Sequence, residues 1–296
     1  MSPVSPIEVL EPAKLTSPLV FASPHSGSYY PPEFVASSAL ELGALRKSED
    51  CYVDDLFADV PALGAPLLRT LYPRAYLDVN RESHELDPEM FDEPLPAFVN
   101  TTSARVAAGL GTLARIVASR REIYRKKLSF ADAEARITSV YKPYHRALRE
   151  LIGRAWNRFG YCILVDCHSM PSTGLPVDIA RDGGPIDMVL GDRSGMSCAR
   201  AVTEAVESSL GAMDYHVTRN NPYAGGFTTQ HYGDPVNGVH AIQIEINRNL
   251  YMDEVTLQRR ADFGKLKSDI SLLVGHLAAF TASHHSELRY QRLSAE

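Results

Sequence analysis

Two histidines carry the strongest chemical signal in the chain. His25 in Ser23-Pro24-His25-Ser26-Gly27 and His168 in Asp166-Cys167-His168-Ser169 each follow a short apolar run that reads as a buried β-strand. Open α/β sheets gather their ligands at strand ends, and neutral imidazoles there are natural metal ligands. A third run ends in Gln243-Ile244-Glu245-Ile246-Asn247-Arg248 and supplies Glu245, a carboxylate of the kind that serves as a base. Catalytic zinc commonly takes two histidines and one acid and keeps a position open for water. The acid of that set could be Asp50, in Ser48-Glu49-Asp50-Cys51-Tyr52-Val53-Asp54, with Glu49 adjacent and Asp54 more distant. Asp50 also reads as a helix N-cap.

Residues two apart on a strand share a face. Asp166 and His168 therefore point together, as do Gln243, Glu245 and Asn247, while three isoleucines face the other way. A buried carboxylate is costly unless it is paired or at work, so a ligand pocket fits this strand. An edge strand with one wet face is the plainer reading. In Leu77-Asp78-Val79-Asn80-Arg81, Asp78 and Asn80 face one way, and Arg81 offers a planar fork of donors for a carboxylate or an oxyanion. Gly225 and Gly226 suggest a backbone that approaches a ligand closely, with Thr228 and Thr229 as donors or as part of a plain surface loop. Asp166 could orient a ligand histidine.

The elements that position these residues alternate along the chain. Strands are expected at 19–22, 65–69, 75–79, 161–165, 187–191 and 241–246. Helical period appears over 48–63 and over most of 103–159, with breaks near Ser129 and Pro143, then in a stripe from Cys198 to Leu210 and from Asp253 to about Ser283. Residues 86–100 and 220–238 read as loops. This pattern implies a three-layer α/β/α sandwich. Residues of chemical interest lie on both sides of the 86–100 loop, so residues 1–296 read as a single domain, with residues 1–16 an N-terminal arm.

The bulk composition narrows the partners. A formal charge of -6, from 30 Lys+Arg against 36 Asp+Glu, argues against a nucleic-acid binder. The most basic stretch, 120–127, reads as the solvated face of a helix. Cys51, Cys162, Cys167 and Cys198 form no C-x-x-C pair and look like reduced thiols of a cytoplasmic protein. No signal peptide or membrane-spanning stretch is apparent.

Taken in order, the motifs resemble one family. They are Ser23 to Gly27 with Pro31, Glu49-Asp50 with Val53-Asp54, and Pro73 to Arg81. Asp166 to Met170, Ala224 to Thr229, and Gln243 to Arg248 with Tyr251-Met252 complete the set. The set is similar to the N-formylglutamate amidohydrolase family, over about residues 19–262, and that family resembles the zinc carboxypeptidases and aspartoacylase more distantly. The resemblance implies a mixed central sheet in a phosphorylase/hydrolase-like fold and one zinc ion per chain. It implies His25, His168 and Asp50 as metal ligands, Glu245 as general base, and Asn80 and Arg81 on the substrate. One departure is that the carboxypeptidase-like acid three residues after the first histidine is here Ser28. The implied reaction is hydrolysis of N-formyl-L-glutamate to formate and L-glutamate, a late step of histidine breakdown in some bacteria. Its substrate is a small anionic amino acid whose two carboxylates call for cations, with Arg181, Arg193, Arg219 and Arg248 in suitable segments. Three other readings stand beside it. They are a related metallo-amidohydrolase for another N-acyl or formimino amino acid, a non-haem iron oxygenase, and a non-catalytic α/β ligand-binding protein.

Overall fold

A computed structural model describes residues 4–117, 120–173 and 185–289. Among the described residues seven strands form one sheet: β1 Ile7–Leu10, β2 Leu19–Ser23, β3 Leu67–Thr70, β4 Cys162–Met170, β5 Met188–Gly191, β6 Val217–Arg219 and β7 Val239–Asn247. Their order is β1-β3-β2-β4-β7-β5-β6. β2, β4 and β7 run parallel, whereas β5 is antiparallel to β7 and parallel to β6. This is an α/β fold with a mixed central sheet. Residues 7–10, inside the stretch read as a surface arm, make the edge strand β1.

The chain packs as two compact units. The first comprises Met1–Glu8, Pro24–Cys51 and Arg69–Ala147, and the second Val9–Ser23, Tyr52–Leu68 and Leu148–Glu296. In the second, β4 is buried at every position and β7 at all but Val239. Their apolar runs reflect that placement, because parallel strands covered on both faces lose the alternation of a half-wet strand. β7 lies between β4 and β5, so it is no edge strand, and its polar residues are buried. The helices Arg200–Gly211 and Phe263–Ser283 pack on each other, with Ser209 Oγ 2.8 Å from His276 Nδ1, and bury Val202, Val206 and Ile270. In the first unit, Phe34, Leu40, Leu45, Ala75, Val117 and Ile123 form a core. Arg136 lies against three rings there, 4.5 Å from the Tyr76 centroid, and donates to the Tyr76 carbonyl at 3.2 Å. Among the described residues no helix is long and apolar enough to cross a membrane.

Several expected elements differ, each for a local reason. Residues 75–79 form no strand, because the Asp78 carboxylate accepts from the Asn80 backbone N–H at 2.8 Å and folds the chain into a turn. The 48–63 helix is broken into Val53–Leu56 and a 3-10 turn Val60–Leu63; Tyr52 is left-handed (φ 65) and Pro61 opens the second piece. Past the short helix Ala104–Ala107, Gly109 (φ 74) stops helical growth, and the basic stretch 120–127 is irregular chain that buries Ile123. Ser129 does cap a helix, Phe130–Arg136, with a full capping box. Near Pro143 there is no break. A π-turn, Ile137–Tyr141, leads straight into the helix Lys142–Phe159, and the Lys142 N–H reaches back to the Ile137 carbonyl. The 220–238 loop contains the helix Phe227–Tyr232. The last long helix begins at Phe263, since Asp253 is turned into a side-chain turn with Val255 and Thr256.

Candidate metal centre

Strand pairing builds one half of the site. His168 stands opposite Glu245 in the β4–β7 register, and Asp166 opposite Gln243. The Asp166 Oδ2 lies 2.9 Å from His168 Nε2 and accepts from Gln243 Nε2 at 3.1 Å. All four side chains are buried. Cys167 faces the other side of the strand, and burial, reinforced by the Asp166 charge, pushes its thiol well above the ordinary range. Asn247 is engaged structurally, donating to the Ile186 carbonyl at 2.8 Å and accepting from the Asn249 N–H.

Loops build the other half. His25 lies two residues past β2, and its carbonyl accepts from the Asp50 N–H at 3.0 Å. Its Nε2 is 2.7 Å from Asp78 Oδ1, and its Nδ1 is 3.4 Å from Asp50 Oδ2. The turn that presents it needs Gly27, where a Cβ would fall 2.2 Å from the Tyr72 carbonyl oxygen. Burial alone would raise the Asp78 carboxyl. The Arg81 and Arg74 guanidiniums and His25 outweigh burial and hold it well below the usual carboxylate range.

The candidate acids Glu49 and Asp50 differ in their contacts. Glu49 is taken by the Tyr30 hydroxyl at 2.7 Å, by Arg46 Nε at 3.1 Å and by the Cys51 thiol at 3.1 Å. Asp50 caps no helix, because the N-cap of Val53–Leu56 is Tyr52. One ligand atom each from His25, Asp50 and His168 lies within 4.8 Å of the others, and all three residues are buried. Both imidazoles give Nε2 to a carboxylate. That is the outer arrangement that fixes the tautomer of a metal-bound histidine and leaves Nδ1 as the donor. Two imidazole nitrogens and a carboxylate oxygen suit a divalent transition metal such as zinc.

The other expected residues fall in different places. Arg81 directs Nε to the Leu110 carbonyl at 2.9 Å, Nη1 to the Asn80 carbonyl at 2.8 Å, and Nη2 to within 3.6 Å of Asp78. Asn80 is buried beside it. Gly226 is the N-cap of Phe227–Tyr232, and Thr228 is fully buried in the first turn of that helix. The neighbouring glycine Gly225 approaches another backbone: a Cβ on Gly191 of β5 would fall 2.6 Å from the Gly225 nitrogen. Arg219 pairs with Glu207. Arg193 is partly exposed, and Arg181 lies outside the described residues. Arg248 is buried, with Nε 3.2 Å from the Ser169 hydroxyl next to His168. Asp78 as the partner of His25 was missed in the sequence. Its signal was the Asp-x-Asn spacing of a side-chain turn, which a strand assignment hides.

Residues 17–252 match the N-formylglutamate amidohydrolase family. The chain belongs to that family. It is 32% identical over 251 residues to an N-formylglutamate deformylase from Pseudomonas aeruginosa, covering 83% of this chain and 86% of that protein. A deformylase of the same name from Pseudomonas putida is 27% identical over 240 residues, covering 80% of this chain and 82% of that protein. The crystal structure of an N-formylglutamate amidohydrolase from Ralstonia eutropha JMP134 superposes with a TM-score of 0.88 at 35% identity, covering 95% of this chain and 99% of that one. A gene product of Agrobacterium tumefaciens, Atu2144, shares the fold at a TM-score of 0.67 and 15% identity, covering 95% of this chain and 96% of its own.

Proposed function

We propose that this protein is a metal-dependent amidohydrolase that converts N-formyl-L-glutamate to formate and L-glutamate, with zinc as the metal and histidine breakdown as the setting. The observation that carries it is the buried group His25, Asp50 and His168, in a member of a family named for this reaction. His25, Asp50 and His168 would hold the ion, with Asp78 and Asp166 fixing the two imidazoles from behind. Zinc in such a site acts as a Lewis acid toward a carbonyl oxygen and makes water a usable nucleophile near neutral pH.

Glu245 is the proposed general base. It takes a proton from the attacking water and delivers it to the departing amine nitrogen, so the C–N bond breaks without expelling an amide anion. Its place in register with His168 is what supports that role. Arg81 stands with its charge beside Asp78 and with contacts to the Leu110 and Asn80 carbonyls; its further N–H groups, with Asn80, are the proposed partners of a substrate carboxylate or the developing oxyanion. Arg248, beside Ser169, is the proposed partner of a substrate carboxylate. The test is elemental analysis of the purified protein together with formate release from N-formyl-L-glutamate before and after chelation. About one zinc per chain and activity lost on chelation are expected. Protein without stoichiometric metal that releases no formate would overturn the proposal, and turnover confined to other N-acyl amino acids would move it to a different substrate.

A further inference from the structure

The segment that carries Asp78 is irregular, yet its backbone is held at two carbonyls just past that residue. The Tyr141 hydroxyl donates to the Arg81 carbonyl at 2.8 Å, and His145 Nε2 lies 2.9 Å from the Val79 carbonyl. Both side chains are buried, and their rings contact each other at 4.1 Å between centroids. They stand four residues apart, which puts them on one face of the helical run. Tyr141 is the last residue of the π-turn Ile137–Tyr141, and His145 sits in the first turn of Lys142–Phe159. Single π-turns inside helices recur at functional sites.

From this geometry we infer that Tyr141 and His145 are positioning residues for the metal centre. They fix the Val79 and Arg81 carbonyls on either side of Asn80, and thereby the Asp78 carboxylate that orients His25. The inference rests on the metal site proposed above. A buried carbonyl needs a donor whatever its neighbours do, so a purely structural role would lower stability without changing the metal. The positioning role instead makes zinc affinity follow these two hydrogen bonds.

The measurement is the zinc dissociation constant by chelator competition, with thermal unfolding of the same samples and kcat and KM for formate release. Tyr141→Phe and His145→Leu should each weaken zinc binding roughly fivefold, below the ~10–100-fold typical of a group touching the ligand itself. KM should stay unchanged. His145→Gln keeps an N–H near the position of Nε2 and should recover affinity to within about twofold of wild type. Folded Tyr141→Phe and His145→Gln proteins with a lower midpoint but wild-type zinc affinity in the first, and a His145→Leu protein that also binds normally, would overturn the inference. So would His145→Gln as defective in zinc binding as His145→Leu, since ring packing and not the hydrogen bond would then matter. Should His145→Leu not fold, Tyr141→Phe alone decides. A wild-type protein that binds no zinc would overturn the site itself and this inference with it.

Discussion

His168 and His25 present the same arrangement, an imidazole whose Nε2 lies against a carboxylate, but the two carboxylates arrive by different routes. Asp166 stands two residues before His168 on β4, so the period of an extended chain brings them together. Asp78 reaches His25 from 53 residues away, out of a turn with no regular hydrogen-bond ladder. Asp166 also accepts from the neutral Gln243, whereas Asp78 lies among His25, Arg74 and Arg81. The strand-built half gains its precision from a ladder that would exist without any metal. The loop-built half depends on charge and on close backbone contact at Gly27.

The largest expected effect lies in the strand-built half. Glu245→Gln keeps the shape and the β4–β7 pairing but removes the proposed base, so formate release should fall by about 10²–10⁴. Metal content should remain that of wild type. A variant that lost its metal would show that Glu245 holds the ion and would blur the division between ligand and base.

This asymmetry also separates what was legible in the sequence from what was not. β4 and β7 were readable because their apolar runs are long and their polar residues fall at period two, although both strands extend beyond the spans the apolar residues mark. His25, Asp50 and His168 stood as a set in the sequence only as what the order of several motifs implied, with Glu49 open beside Asp50, because the Tyr30 and Arg46 contacts of Glu49 exist only in the fold. The turn at Asp78 was hidden by Leu77 and Val79, whose alternation imitates a strand. Tyr141 and His145 carried no signal, because hydrogen bonds across some sixty residues leave no local pattern.

A pair of variants sharpens the comparison directly. Asp78→Asn and Asp166→Asn should each weaken metal binding by about 10–100-fold, as for other groups that orient a metal-bound histidine. Their stabilities should diverge. Neutralising Asp78 leaves the largely buried Arg81 without its anion, and breaking a buried ion pair from one side costs about 3–5 kcal/mol. Asp166→Asn places an amide beside His168 and the neutral Gln243 on paired strands, so its unfolding midpoint in urea should move less. Equal losses of stability in the two would break the distinction between a charge-built and a ladder-built half.

Arg248→Lys tests the substrate side with a smaller effect. Lysine keeps the charge but loses the planar fork, so KM for N-formyl-L-glutamate should rise, by roughly tenfold for one weakened charge-assisted contact, with kcat less affected. The same substitution should matter less for an N-formyl amino acid with an uncharged side chain if Arg248 holds the side-chain carboxylate. An equal rise for both substrates would place it on the α-carboxylate instead.

The smallest effects come from one added and one removed methyl group. Ile244→Val, on the face of β7 away from Glu245, should cost about 0.5–1.5 kcal/mol and leave zinc affinity unchanged, because the ladder holds His168 whether or not the core beneath it is slightly underfilled. Gly27→Ala forces a Cβ against the Tyr72 carbonyl, and overpacking of this kind typically costs about 1–3 kcal/mol. The loop can relieve that contact only by shifting the chain that presents His25, so zinc affinity should fall along with stability. Chelator competition on the two variants, compared at matched fraction folded, reads the difference. If Gly27→Ala bound zinc as tightly as Ile244→Val, the loop would be no more tightly coupled to the metal than the distant face of the sheet.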